Sequence, residues 1–198
     1  MKKTINLLFL CFLLIFAFSC VSDPEAKYTE ANALKSKADK YELDKYAENE
    51  YQAAEDNLKE GKSLIDAKNK MKAVKVLDES VKNYKSVLDK GLPPYTDEQN
   101  DEAKENRSEA DAIKANVAVK EKYDEAEKLY NDGVQAMNSK DYEKAIELFN
   151  QAEEKYNEAY DEASTKRDKA RKSINSAEEI KSEVEENISN LEDSLEEE

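Results

Sequence analysis

The stretch "GVQAMNSKDYEKAIELFNQA", residues 133–152, carries the strongest structural signal in the chain. Gly133 precedes the polar segment Asn-Ser-Lys-Asp, and Ala145, Phe149 and Ala152 follow that segment at helical spacing. Residues that recur at intervals of three or four lie on one face of a helix. Small residues on such a face let a second helix approach closely, and a phenyl ring fills the space between them. The stretch therefore predicts two antiparallel helices joined by a tight turn.

The same pattern occurs 72 residues earlier in the chain, where Gly61 is in register with Gly133. Chance matches among the abundant Ala, Glu and Lys residues do not account for this register. The sequence predicts an internal duplication, with a first helical hairpin at residues 25–90 and a second at residues 97–162. Other pairs at this separation are Ala31 with Ala103, Ala38 with Ala110, Asp39 with Asp111, Tyr51 with Tyr123, Ala54 with Ala126, Glu55 with Glu127, Ala73 with Ala145 and Tyr84 with Tyr156.

Each copy is expected to contain one helix, a tight turn and a second helix. In the second copy, apolar residues recur from Ala103 through Ile113 and Val117 to Met137, and this spacing predicts one uninterrupted first helix. The segment "NSKD" is expected to form the turn.

A linker is predicted at residues 91–96, between the two copies. Gly91 is a typical residue at the end of a helix, and Pro93 and Pro94 do not favour its continuation. Thr96, followed three residues later by Gln99, has the spacing of a capping box. The sequence therefore predicts that one helix ends here and another begins.

A C-terminal helical extension is predicted at residues 163–198, with a frayed acidic end. Its apolar stripe continues the stripe of the second copy, so one helix of about fifty residues, ~75 Å long, is expected. A break near the segment "SINSAEE" is the alternative. The stripe consists of Ala163, Ala170, Ile174, Ala177, Ile180, Val184, Ile188, Leu191 and Leu195.

Composition and charge narrow the possible classes of protein. The 198 residues include three glycines and three prolines, 39% are charged, and the formal net charge is -15. Abundant helix formers with few breakers predict an all-α fold of elongated antiparallel hairpins with a long C-terminal helix. Phosphates repel a body of this charge, so nucleic acid is not an expected partner. The charge favours either solubility or a basic partner.

The residue types needed for common catalytic chemistry are scarce. The chain has no histidine, and its glycines are isolated, so neither an imidazole base nor a phosphate-binding glycine loop is present in the sequence. We therefore expect no enzymatic activity, no metal site and no cofactor other than a covalent lipid.

The first residues have the order of a bacterial export signal. Lys2 and Lys3 precede an apolar run that is short for a membrane span of ~20 residues, and a small residue stands before Cys20. The end of this run, Ala-Phe-Ser-Cys, resembles the lipobox of bacterial lipoproteins, although Phe18 departs from its usual pattern. The resemblance implies a signal peptide at residues 1–19 and acyl chains such as palmitate on Cys20.

Two other features of this N-terminus bear on the anchor. Cys11 lies inside the apolar run, so Cys20 is the only cysteine left after cleavage, without an internal disulfide partner. By resemblance, Val21 after the cysteine favours the outer membrane. The alternative is an ordinary cleaved signal with an incidental cysteine. Residues 20–24 are expected to form the lipidated N-terminus and a short tether, in which Asp23 caps the first helix.

The opening stretch resembles the tetratricopeptide repeat (TPR), a helix–turn–helix unit that stacks into binding scaffolds. Leu129, Gly133, Ala145, Phe149 and Ala152 fit its pattern. Asp132, Ala136 and Asn157 depart from it, and the first copy fits less well. A generic helical hairpin is the alternative. The resemblance implies a groove on the first helix of each unit, lined by Tyr130, Val134 and Met137 and by Leu58, Lys62 and Ile65. The long C-terminal helix is an alternative cover for these side chains.

The sequence thus predicts a non-enzymatic, lipid-anchored protein of the bacterial cell envelope that acts as a TPR-like interaction scaffold. Its expected partners are the membrane, through the lipid, and another envelope protein, and self-association is an open alternative. Two other functions remain open. One is a surface-exposed lipoprotein that binds host molecules, and the other is a structural coiled-coil spacer.

Overall fold

A computed structural model describes residues 23–196, and these residues form an all-α fold of helical hairpins with a long C-terminal helix, as predicted. The signal peptide at residues 1–19 and the lipidation of Cys20 lie outside the described residues. The helices are α1 (Pro24–Lys40), a 3₁₀ turn (Leu43–Tyr46), α2 (Glu48–Asp66), α3 (Lys70–Ala112), the one-turn α4 (Ala115–Ala118), α5 (Lys120–Asn138) and α6 (Tyr142–Glu196).

Helix α1 begins as its sequence predicts. The side chain of Asp23 accepts a hydrogen bond from the backbone N–H of Glu25 at 3.2 Å, and Pro24 occupies the first turn. Because the first N–H groups of a helix have no intrahelical acceptor, the aspartate caps one of them.

The described residues divide into two compact units, a first unit before the boundary between Tyr95 and Thr96 and a second unit after it. Their backbones repeat at a separation of 72 residues. Glu42 and Lys114 are both left-handed, with φ of 50° and 62°, and so are Lys68 and Lys140, with φ of 58° and 61°. Helices α2 and α5 begin and end at equivalent positions. This agreement supports the predicted duplication.

Each unit contains three long helices and one short turn of helix, so the prediction of one uninterrupted first helix per copy is wrong. The last part of α3 is the first helix of the second unit and is equivalent to α1. The chain turns at Glu42 after α1 and at Lys114 after α3, and a short turn of helix follows in both places. Helix α1 then packs on α2, where Lys35 pairs with Glu55. A helix with apolar residues along its whole length buries more of them by folding back on itself than by remaining straight.

The turn predicted at "NSKD" is present between α5 and α6. Lys140 adopts the left-handed conformation, and the N–H of Asp141 donates to the carbonyl of Ala136 at 2.9 Å. This is the hydrogen bond of a Schellman motif, which satisfies a carbonyl that the end of the helix leaves free.

Helices α5 and α6 then form a close hairpin. A Cβ atom on Gly133 would lie 2.8 Å from the ring of Phe149, so only glycine permits this approach. Phe149 is fully buried, and burial of such a side chain contributes roughly 1.5–3 kcal/mol. The small residues therefore have the packing role that the sequence predicted.

The predicted helix break at residues 91–96 is wrong, because α3 runs through Pro93 and Pro94. Gly91 does not have a positive φ and does not end the helix. Instead, a Cβ atom on Gly91 would lie 2.9 Å from the Cβ of Leu43, so the glycine allows close packing. Thr96 is fully buried inside α3 rather than at a helix start. Gly91 and Thr96, which flank the prolines, are both buried, so the helix is packed on either side of the two residues that cannot donate a backbone hydrogen bond.

Helix α6 contains 55 residues and has no break near residues 173–179. This confirms the long C-terminal helix. None of the helices between residues 23 and 196 combines the length and the apolar composition that a membrane-spanning helix needs.

Candidate partner-binding surface

The structure places the three predicted binding residues of the second unit at different depths. Tyr130 is only 9% exposed, its hydroxyl donates to Asn100 at 3.0 Å, and its ring lies 5.7 Å from that of Phe149. Val134 and Met137 are half-buried against the same core. The surface available to a partner on α5 therefore includes the edges of Val134 and Met137 rather than the ring of Tyr130.

The equivalent residues of the first unit follow the same order along α2. Leu58 is buried in the core and Ile65 is half-buried against it. Lys62 is exposed and forms an ion pair with Asp66 at 2.5 Å. The six predicted residues thus occupy two equivalent rows, one in each unit, and in both rows the first residue belongs to the core.

A half-buried polar network joins helices within each unit, and the sequence does not predict it as a group. In the first unit, Lys35 pairs with Glu55 and donates to the hydroxyl of Tyr51 at 2.9 Å. The hydroxyl of Tyr51 in turn donates to Asp39 at 2.5 Å. Tyr51, Asp39 and Glu55 are repeated at the 72-residue separation. No pattern of sequence spacing, however, indicates that these three residues contact Lys35.

The second unit repeats this network with arginine in place of lysine. Arg107 makes two hydrogen-bonding contacts with Glu127, from Nε at 2.7 Å and from Nη2 at 3.0 Å. Tyr123 donates to Asp111 at 2.7 Å, and Tyr156 donates to Glu127 at 2.6 Å. Two-pronged pairing of this kind fixes the orientation of both side chains.

The network is electrostatically suited to holding helices together. The hydrogen bond from Lys35 lowers the pKa of Glu55. Burial, together with the hydrogen bond to Asp111, raises the pKa of Tyr123 to about 12. Both shifts move the pKa away from neutrality, so these two groups keep a fixed protonation state near pH 7. The network therefore fits a structural role better than proton transfer.

Shallow grooves lie at equivalent positions on the outer face of the third helix of each unit, with volumes of 490 Å³ in the first unit and 420 Å³ in the second. The first groove combines two lysines with two aspartates, whereas the second has four carboxylates and no lysine. The first is lined by Asp78, Val81, Lys82, Lys85, Ser86 and Asp89, and the second by Asn150, Glu153, Glu154, Asn157, Glu158 and Asp161.

The two units also differ in their total charge. Residues 24–95 contain fourteen basic and fourteen acidic side chains, whereas residues 96–167 contain eleven basic and twenty acidic side chains. The acidic groove therefore belongs to the unit that carries the excess negative charge. A basic segment of a partner would be attracted to the second unit in preference to the first.

Among the residues that the structure describes, no group of His, Cys, Asp and Glu side chains has the arrangement of a metal site. No known protein family, no characterised protein and no solved structure shows significant similarity to this chain. The resemblances to bacterial lipoproteins and to TPR units therefore remain predictions from the sequence.

Proposed function

We propose that this protein is a non-enzymatic, lipid-anchored scaffold of the bacterial cell envelope, which binds another envelope protein through TPR-like helical units. The N-terminal sequence supports the anchor, since a charged start, an apolar run and Cys20 occur in the order of a lipoprotein signal. Acyl chains add ~0.8 kcal/mol of membrane affinity per buried methylene, so two or more chains anchor a protein firmly. The outer membrane is the expected location.

One observation carries the scaffold function. The two units share their backbone turns, their close glycine contacts and a half-buried polar network, yet their outer grooves differ in charge. A unit whose backbone and close packing are preserved while its surface charge changes is suited to presenting different binding faces on one framework. The acidic groove of residues 150–161 and the half-buried edges of Val134 and Met137 are the faces that we assign to the partner.

The proposal is tested by photocrosslinking in living cells. A photoreactive amino acid is placed at Asn157 in the acidic groove, and the matched control is placed at the equivalent Lys85 of the first unit. We expect Asn157 to capture one envelope protein with a basic segment, and we expect the complex to weaken as salt is added to a lysate. Equal capture at both positions would contradict the assignment of the acidic groove.

The anchor is tested separately. Mass spectrometry of the protein purified from its native host should show acyl groups on Cys20 and no residues before it. Recovery of an unmodified Cys20 would rule out the lipid anchor and leave the scaffold function to be judged by the crosslinking alone.

A further inference from the structure

The last part of α6 presents an apolar face that no described residue covers. Every side chain from residue 165 to residue 190 is exposed. Ile174, Ile180, Val184 and Ile188 are 57%, 62%, 49% and 50% exposed. Single exposed apolar residues are ordinary, but four on one long helix indicate a surface that another molecule covers.

The spacing of this face is that of a coiled coil. Small or apolar residues and one lysine recur at alternating intervals of four and three, which is the heptad pattern. The first core position of the heptad is occupied by Ile174, Lys181 and Ile188, and the second by Ala170, Ala177 and Val184. The sequence continues the same spacing at 191 and 195 with leucine at both positions. The pattern therefore spans nearly four heptads.

This segment also resembles the first helix of each unit. Residues 31–38 read Ala-Asn-Ala-Leu-Lys-Ser-Lys-Ala, and residues 177–184 read Ala-Glu-Glu-Ile-Lys-Ser-Glu-Val. In the first unit the two alanines of this motif, Ala31 and Ala38, are fully buried against the rest of the unit. The equivalent face of α6 is therefore of a kind that packs on other helices.

The two segments differ in the course of the chain after them. Helix α1 ends at Lys40, and the chain turns at the left-handed Glu42, which lets the next helix pack on α1. At the position equivalent to Glu42, α6 has Ile188, and the helix continues to Glu196. The heptad pattern thus extends past the point where the units turn back. A straight partner helix covers such a face better than a returning hairpin does.

The residues that flank the heptad core favour a parallel pair of identical helices. On one side of the core lie Arg171, Glu178 and Glu185, and on the other side lie the uncharged Ser173, Ile180 and Asn187. In a parallel coiled coil each side faces the opposite side of its partner, so the acids face uncharged residues. In an antiparallel pair each side faces itself, so Glu178 would repel Glu185 of the partner near the middle of the coil, and Arg171 could pair with a glutamate only near its ends.

The residues at the heptad core positions favour a coiled coil of two helices. β-branched residues at the first core position favour a dimer, and a single lysine there fixes register at some cost in stability. The Nζ atom of Lys181 lies 3.6 Å from Oε1 of Glu185 in the same helix, and the lysine side chain is 73% exposed. Its charge can therefore remain in water beside the heptad core.

We propose that residues 170–195 form a parallel, two-stranded coiled coil, about 39 Å long at 1.5 Å per residue, with the same segment of a second copy of this protein. This interaction goes beyond the proposed scaffold function, because it uses a different surface and a different partner. Alanines at two core positions make the coil weak, so anchoring many copies on one membrane would raise the fraction that pairs.

The test is photocrosslinking of the full chain in detergent. A photoreactive amino acid replaces Ile188 in the heptad core, and the matched control replaces Glu186 on the opposite face of the same turn. We expect a crosslinked dimer from position 188 and little from position 186, with the captured peptide coming from residues 184–191 of the other copy. A monomer alone, equal crosslinking at both positions, or capture of residues 170–177 would each overturn the proposal.

Two substitutions make the test sharper without disturbing the units, since both side chains are exposed. Val184→Lys should abolish the dimer, and Lys181→Ile should increase the association constant roughly tenfold or more. Circular dichroism should show unchanged folding of the units in both variants. If Val184→Lys left the dimer intact, another surface would be responsible for it, and the proposed coiled coil would be wrong.

Discussion

The duplication provides a matched experiment on the value of one buried hydroxyl group. Tyr84 and Tyr156 are equivalent, fully buried tyrosines whose rings make edge contacts with Tyr51 and Tyr123. The hydroxyl of Tyr156 donates to Glu127 at 2.6 Å, whereas the hydroxyl of Tyr84 has no hydrogen-bond acceptor among the described residues. Replacing each tyrosine by phenylalanine removes the same atom from two different environments.

The two substitutions are expected to have different effects on the free energy of unfolding. Tyr156→Phe removes a hydrogen bond to a charged group, which is worth about 1.5–3 kcal/mol. Arg107 still contacts Glu127 after the change, so we expect a loss near the lower end, about 1.5 kcal/mol, or roughly 6–12 °C in Tm for a unit of this size. Tyr84→Phe removes a buried polar atom that lacks an acceptor, so the free energy of unfolding should stay constant or rise by about 1 kcal/mol.

The assay is hydrogen exchange combined with urea unfolding. Exchange at the amides of α5 and α6 reports on the second unit, and exchange at the amides of α1 and α2 reports on the first. Tyr156→Phe should lower protection in the second unit. If Tyr84→Phe destabilised its unit as much as Tyr156→Phe does, the reasoning from the hydrogen-bond partner would be refuted.

Three further predictions concern packing, pH and backbone conformation. Leu43→Ala should lower the free energy of unfolding by about 2–5 kcal/mol and Gly91→Ala by about 1–3 kcal/mol. The double variant should lose less than the sum of these values, because the new methyl group enters the space that the leucine leaves. Additive losses in urea unfolding would contradict this. Because folding raises the pKa of Tyr123 above its ordinary value of ~10, its contribution to stability is complete below that pH and should be lost as pH rises to about 12. Alkaline unfolding followed by phenolate absorbance and circular dichroism checks this, and Tyr123→Phe should weaken the dependence. Lys140→Gly should stabilise the second unit by roughly 0.5–1 kcal/mol, since glycine adopts its left-handed conformation without steric cost, although it loses more chain entropy; an unchanged melting temperature would argue against this.

The helices and their duplication could be predicted because both depend on residues at regular positions in the sequence. Helices need apolar residues at intervals of three or four, and close contacts between helices need small residues at fixed positions. Gly133 and Phe149 must occur at fixed positions for α5 and α6 to approach, and Gly61 repeats the glycine at the same register. The turn at Lys140 was also recognisable, since a polar segment interrupts two apolar stripes.

The turns after Glu42 and Lys114 could not be predicted in the same way. Neither turn contains glycine or proline, and left-handed residues in proteins are usually glycine or asparagine. Apolar residues continue through both segments at helical spacing, because the short turn of helix is itself packed on the core. Leu43 and Ala115, in these turns, are both fully buried.

At the prolines of α3, the sequence predicted a helix end that the structure does not have. Local rules give Pro93 and Pro94 a high cost inside a helix, and the sequence does not show what lies beside them. The sequence suggests a helix end at Gly91 because glycine is common there, yet its actual requirement is the space occupied by Leu43. The contact between Gly91 and Leu43 joins residues distant in sequence, and spacing alone does not reveal such a contact.

The candidate site was only partly predictable for a related reason. Periodicity identifies the inner face of α2 and α5, but it does not say how far each side chain extends beyond the helices that cover it. Tyr130 and Leu58 therefore had the same apolar signal as Met137 and Ile65, although the first two are buried and the last two remain half-buried. The polar network was missed because its lysine and arginine look like ordinary surface charges on α1 and α3.

The differences between the units are the basis for the proposed position of the partner. In the interior, a smaller side chain at one position is accompanied by a larger one at the position that packs against it. The first unit packs Leu43 on Gly91, and the second unit has Ala115 in place of the leucine and Ala163 in place of the glycine. All four residues are buried. On the outer grooves, residues change from mixed charge to acidic without any such matching. Interior changes must preserve volume because the core is densely packed, whereas surface changes of charge cost little stability. The charge difference is therefore free to determine which partner each unit attracts, and this is why we place the partner at the groove of residues 150–161.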